Sequence, residues 1–119
     1  MDLGITVDEI KFAIGVHADQ VLRDIDEGMI NEKIEFFTAQ VTRGIKEDFA
    51  NPELIKSIII AYVKYFFWAR MNPKDVPDHI REERKDANKL LEQIRSGQFR
   101  DADVSPSFKS NDRYFSRKL

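Results

Sequence analysis

From Leu54 to Met71 the only polar interruptions are Lys56, Ser57, Lys64 and Arg70, and this run limits the fold more than any other feature of the chain. Asn51-Pro52-Glu53 just ahead of it is a helix start, with Asn as the cap and Pro in the first turn, where its missing N–H costs nothing. A membrane span needs about 20 predominantly apolar residues with charge kept out of the middle, and Lys64 stands in the middle of this run. The pattern predicts a buried helix over 52–71. On a helical wheel of about 100° per residue, Leu54, Ile55, Ile58, Ile59, Ala61, Tyr62, Tyr65, Phe66, Trp68 and Ala69 spread over half the circumference, and Tyr62, Phe66, Trp68, Ile58 and Ile59 are the expected centre of the core. The other arc carries Glu53, Lys56, Ser57, Lys64 and Arg70, with Ile60, Val63 and Phe67 among them. Either another element of the chain covers those three, or they form a partner-binding patch rimmed by charge.

A buried helix needs neighbours, and the rest of the chain supplies them between clear breaks. Thr6 and Glu9 have capping-box spacing, which starts a helix over about 6–14 that stops near Gly15. One more turn is expected around Val21, Leu22 and Ile25, before Gly28 breaks the chain. Ile34, Phe37, Val41, Ile45 and Phe49 recur at three- and four-residue steps and predict a helix over 31–49, with Gly44 inside it at a close packing contact. Asn72-Pro73 ends the long apolar helix, and Pro77-Asp78 opens a charged one over 78–96 whose narrow stripe is Ile80, Ala87, Leu90, Leu91 and Ile94. Gly97 is its expected stop. The fold class is therefore all-α, a small bundle of four to five helices over 1–97 followed by an extended C-terminal tail over 98–119. At 119 residues and 13.9 kDa the chain is one domain's worth, and a compact fold of that mass buries about two thirds of its extended surface.

The charge balance and residue inventory narrow the functional classes. Nineteen basic against twenty-one acidic residues give a net charge of -2, so no overall positive field points to nucleic acid. With no cysteine, disulfide scaffolds, thiol catalysis and cysteine-held metals are excluded. Met1-Asp2-Leu3-Gly4 lacks the basic-then-apolar plan of a signal peptide, so secretion by that route is not expected. There is no phosphate-binding glycine loop, nucleophile elbow or HExxH zinc motif. His79, Glu82 and Glu83 have a spacing that could hold a metal on one helix face, though the alternating charges from Arg81 to Lys89 read as a solvated surface. Asp24, Asp26 and Glu27 suggest a calcium loop, but counting from Asp24 places Gly28 fifth where an EF-hand needs it sixth. No catalytic, cofactor-binding or metal-binding residue is assigned. Two rival classes stay open: a small helical regulator that binds DNA or another protein, and a metal-dependent hydrolase using His79, Glu82, Glu83 and an aspartate.

The tail carries Phe99, Phe108, Tyr114, Phe115 and Leu119, more large apolar groups than a purely solvated segment uses. From Lys109 to Leu119 there are four basic residues and one acidic, a net +3. Arg113, Tyr114, Phe115 and Arg117 are the expected partner contacts there, aromatic anchors beside charge-assisted donors. The segment from Phe108 is expected to become ordered on a partner, the alternative being that it folds back over the central helix.

Several stretches carry a family resemblance: Ile5-Thr6-Val7-Asp8-Glu9-Ile10, Asn51-Pro52-Glu53-Leu54-Ile55 with Ala61-Tyr62-Val63-Lys64-Tyr65, the run from Arg84 to Gly97, and Arg113-Tyr114-Phe115-Ser116-Arg117. In their order, spacing and residue class the chain resembles short proteins of Mu-like phages and prophages that belong with the head-to-tail connector or head-completion proteins of tailed phages. The reduced loop Asp24-Ile25-Asp26-Glu27-Gly28 departs from the Asp-rich loop common in that family. The resemblance implies a non-enzymatic virion protein, assembled in the host bacterial cytoplasm as a homo-oligomeric ring between portal and tail-side proteins. It implies that DNA passes through the ring without specific binding, and that no cofactor, membrane or small-molecule substrate is involved.

Overall fold

The structure is a computed structural model that describes residues 3–46, 49 and 51–97. It is all-helical, with no strand among the described residues. Five helices follow in order: α1 (Val7–Ile14), α2 (Ala18–Val21), α3 (Glu27–Thr42), α4 (Pro52–Met71) and α5 (Asp78–Arg95), with 3-10 turns at Gly15–His17 and Pro73–Asp75.

Local chemistry accounts for most of the boundaries. The Thr6 hydroxyl accepts from the Glu9 N–H at 3.2 Å while the Glu9 carboxylate accepts from the Thr6 N–H at 3.0 Å, so two otherwise unpaired donors at the start of α1 are satisfied. Gly15 ends α1 with φ +84°, in the left-handed region where a side chain is strained. Asp26 caps α3 by accepting from the Met29 N–H at 2.8 Å, and Asn51 caps α4 by accepting from Leu54 at 3.2 Å.

Helix α3 corrects the sequence reading at both ends. It begins at Glu27, so Gly28 lies in its first turn and does not interrupt the chain. It ends at Thr42, so Gly44 follows the helix with φ +83°. Ile45 and Phe49 still pack on the core, from the connection that follows. The stop is a local turn in which Gly44 takes the positive φ and the Ile45 N–H donates to the Thr42 carbonyl at 3.0 Å; the Arg95 guanidinium on α5 then donates to the carbonyls of Gln40 at 2.6 Å, Arg43 at 3.0 Å and Val41 at 3.3 Å. The last turn of α3 thus meets its unpaired acceptors through α5. Arg70 likewise donates to the carbonyls of Val21, the last residue of α2, and of Arg23 just after it, and Arg81 to those of Pro73 and Lys74.

Helix α4 is the hub, packed by α1, α2, α3 and α5. Its buried residues are Ile55, Ile58, Ile59, Val63, Lys64 and Phe67. They meet Ile10 and Ile14 of α1, Ile30, Ile34 and Val41 of α3, and Ala87, Leu91 and Ile94 of α5 in one core. The stripe predicted on α5 is the stripe observed, with Ile80, Ala87, Leu91 and Ile94 buried and Leu90 at its edge.

The wheel assignment on α4 is overturned in its second half. Val63 is 0% exposed and Phe67 1%, so both belong to the monomer core and neither forms an open partner-binding patch. Tyr62, Tyr65, Phe66, Trp68 and Ala69, placed in the core by the wheel, are half-buried. Phe66 lies eleven residues from Ile55, roughly 20° away on a straight helix, yet Ile55 is fully covered and Phe66 is not. The buried side rotates along α4 because the elements that cover it change, and a single wheel averages the two halves.

Candidate functional site

The surface left open on α4 is a groove of about 550 Å³. Its floor is Tyr62, Tyr65, Phe66 and Ala69; Phe37 and Gln40 of α3 form one wall, and Arg84, Asn88, Leu91 and Arg95 of α5 the other. Among the described residues, α3 and α5 each pack on α4 but scarcely on one another, which leaves this stretch without a roof from either.

The lining is aromatic and cationic. Phe37 stands edge-on to Tyr62 and to Phe66, with ring centroids 5.9 and 6.1 Å apart. The Arg84 guanidinium lies 4.5 Å from the centre of the Tyr65 ring, and the Lys33 ammonium 4.8 Å from that of Phe66. Such placements favour a cation over the electron-rich ring face. The Tyr62 hydroxyl donates to the Asn88 side-chain oxygen, tying α4 to α5 across the floor. Burial pushes the Tyr62 phenol above its ordinary value, against the opposing pull of Arg84 and Arg95.

Three arginines line the groove and no carboxylate or imidazole does. Arg84 has no carboxylate partner among the described residues, and Arg70 and Arg95 are held by backbone carbonyls, which leave their full charge in place. Chemically this arrangement offers aromatic faces to apolar groups and guanidinium donors to carboxylates.

A second uncovered surface lies at α1. Phe12 is 88% exposed and Val16 94%. Asp8, Glu9, Phe12, Ala13 and Ile60 line a shallow depression beside them. Ile60, half-buried, is the one residue of the predicted apolar arc that reaches this surface. Arg113, Tyr114, Phe115 and Arg117 lie outside the described residues.

The candidate metal triad is not assembled. Glu83 turns to Lys64, with 2.6 Å between its Oε1 and the ammonium, and Glu82 pairs with Lys85 at 3.4 Å. Among the described residues no three His, Asp or Glu side chains stand together as an ion site.

Sequence reasoning missed the groove because it placed Tyr62, Tyr65 and Phe66 in the core. One signal for it was present. Arg84, Asn88, Leu91 and Arg95 are spaced by four, three and four residues, which puts a polar and cationic row on one face of α5 beside the apolar stripe.

The fold and its surfaces define an all-helical, single-core protein with aromatic side chains left along its surface. Comparison with protein-family models, curated proteins and solved structures finds no match to this chain. No helix among the described residues is long and apolar enough to cross a membrane.

Proposed function

We propose that this protein is a non-enzymatic structural adaptor, a head-to-tail connector or head-completion protein of the Mu-like phage kind, acting as a homo-oligomeric ring between portal and tail-side proteins. On this proposal it belongs to the virion, is assembled in the host bacterial cytoplasm, and lets DNA pass without specific contacts. The residue pattern shared with that family supports the proposal. The observation that carries it is the pair of uncovered apolar surfaces on separate elements: Phe12 and Val16 at α1, and Met29 and Phe36 on the outer face of α3, 43% and 55% exposed. A head-to-tail ring needs two different complementary patches on each subunit, and these exposed apolar groups lie on two separate elements.

Sedimentation and light scattering across a concentration series test this, with and without the portal protein. The wild type is expected to form closed assemblies or to co-sediment with the portal. The double variant Phe12→Glu, Val16→Glu should remain monomeric with an unchanged helical spectrum, since neither side chain touches the core. A wild type that stays monomeric and ignores the portal overturns the proposal, as does a gene lying in a metabolic operon away from capsid and tail genes.

A further inference from the structure

We infer that the aromatic–arginine groove on α4 receives the exposed face of α1 from a second copy of this chain, with Phe12 and Val16 inserted and Asp8 set against Arg84. The inference rests on the self-associating part of the adaptor reading and names the two surfaces that meet.

Charge complementarity is the first observation. Arg84 is exposed, stands over the Tyr65 ring and has no carboxylate partner among the described residues. Glu83, next to it in the chain, is taken by Lys64. Carboxylates line the adjoining depressions, Glu92 beside Tyr62 and Arg95 and Asp24 beside Arg70, so the unmatched positive charge is centred on Arg84. On α1 the signs are reversed. Asp8 is exposed and has no basic partner among the described residues, whereas Glu9 is held by Lys56 and Lys11 by Glu27. A carboxylate is the group that a guanidinium fork recognises best.

The second observation is the match of shape. Asp8, Phe12 and Val16 are spaced by four residues and follow one another along one side of α1 and the turn after it. Phe12 and Val16 are the two most exposed large apolar side chains among the described residues. Asp8 to Val16 covers about 12 Å along the axis, as does the groove floor from Tyr62 to Arg70. That floor offers half-buried aromatic faces to an incoming Phe ring. The Lys33 ammonium lies 4.8 Å from the Phe66 ring centre and 5.6 Å from that of Phe36, so exposed Phe36 extends the α3 wall of the groove.

The third is placement. Ile60 borders the Phe12 depression and Ala69 the groove, and their positions along α4 put them about 180° apart around its axis. The two surfaces therefore lie on opposite sides of α4, and one chain cannot lay its own α1 face in its own groove. The contact joins copies head to tail, which closes into a ring or continues as a filament according to the rotation between them.

Sedimentation velocity over a concentration series tests this with the full chain and the variants Asp8→Arg, Arg84→Glu and both together. The wild type is expected to self-associate. Each single reversal should weaken association about tenfold by setting like charges face to face, and the double variant should recover wild-type strength. An equimolar mixture of the two single variants should recover it too, because each supplies the charge the other lacks. Both positions are exposed, and helical spectra check that the variants fold. Asp8→Asn and Arg84→Gln, which remove a charge without reversing it, should lose about threefold. Association indifferent to Arg84→Glu, or a double variant no stronger than the singles, overturns the inference and leaves the adaptor reading intact. A wild type that stays monomeric overturns the inference as well. Charge-swap recovery in a chain that ignores the portal upholds the inference and overturns the adaptor reading, so the two fail separately.

Discussion

The two halves of α4 are built from similar residues and end in opposite situations. In the first half Ile55, Ile58 and Ile59 are sealed under neighbouring elements. In the second, Val63 and Phe67 are sealed while Tyr62, Tyr65 and Phe66 lie along an open groove between α3 and α5. The apolar character of a helix thus says how much surface must be covered, not which side its neighbours reach. The residues at the open side are also the ones suited to it. Tyr62 has a hydroxyl that finds Asn88, and Tyr65 has a ring face that holds Arg84, whereas the sealed side uses side chains without polar atoms, apart from Lys64.

The largest expected effect comes from crossing that boundary at adjacent positions. Phe67→Ala should cost about 3–5 kcal/mol, as for other fully buried aromatics, and Phe66→Ala less, about 2 kcal/mol, because part of its ring already faces the groove. Urea unfolding of both variants measures the difference, and equal losses would erase the distinction between the two sides. Phe67→Glu, which an interface role would tolerate, should unfold the chain because it buries an unpaired carboxylate.

Lys64 gives a smaller contrast on the closed side. Its side chain is 11% exposed and is paired with Glu83, which is 43% exposed. Glu83→Ala strands a buried ammonium and should cost about 1–3 kcal/mol. Lys64→Met strands only a half-exposed carboxylate and should be close to neutral, since an apolar side chain of similar length fits a buried site as well or better. A Lys64→Met loss as large as that of Glu83→Ala would mean that the ion pair itself holds α4 to α5.

Arg95 tests how the wall of the groove is fixed. Arg95→Ala removes the donors to the carbonyls of Gln40, Val41 and Arg43 and should cost about 1–2 kcal/mol, with amide protection lost first in the last turn of α3. Protection lost evenly over the chain would show that Arg95 serves the core as a whole.

The smallest effect is one of pH. Glu9 sits below its ordinary value of 4.5 because Lys56 donates to its carboxylate at 2.8 Å and Thr6 donates through its backbone N–H; Lys56 sits above 10.5 for the reciprocal reason. A depressed acid stabilises the fold above its unfolded value and loses that contribution as pH falls through the folded one. A raised base stabilises below its unfolded value and loses it as pH rises through the folded one. The Glu9–Lys56 link of α1 to α4 should therefore act fully between about pH 5 and pH 10 and fade outside. Melting curves of the wild type and Glu9→Gln should differ in that window and converge in acid. A gap that persists in acid would assign the effect to something other than the ionised pair.

Local chemistry was enough to place the helices. Thr6 with Glu9, Asn51 with Pro52, and Gly15 and Gly97 act through bonds and torsions within a few residues, so the starts of α1 and α4 and the ends of α1 and α5 were legible in the chain itself. The stripe on α5 was legible too, because a helix with one buried side shows its period plainly. What the sequence could not decide was what covers the last turn of α3, which way α4 turns its apolar surface, and where Glu83 points. The carbonyls freed at the end of α3 find their donors on Arg95, more than fifty positions away. The open side of α4 depends on how far apart α3 and α5 lie, and Glu83 faces Lys64 only because α5 folds back along α4. Caps and periodicity are short-range properties of a chain, whereas an unroofed groove is a gap between helices that exists only once they are packed.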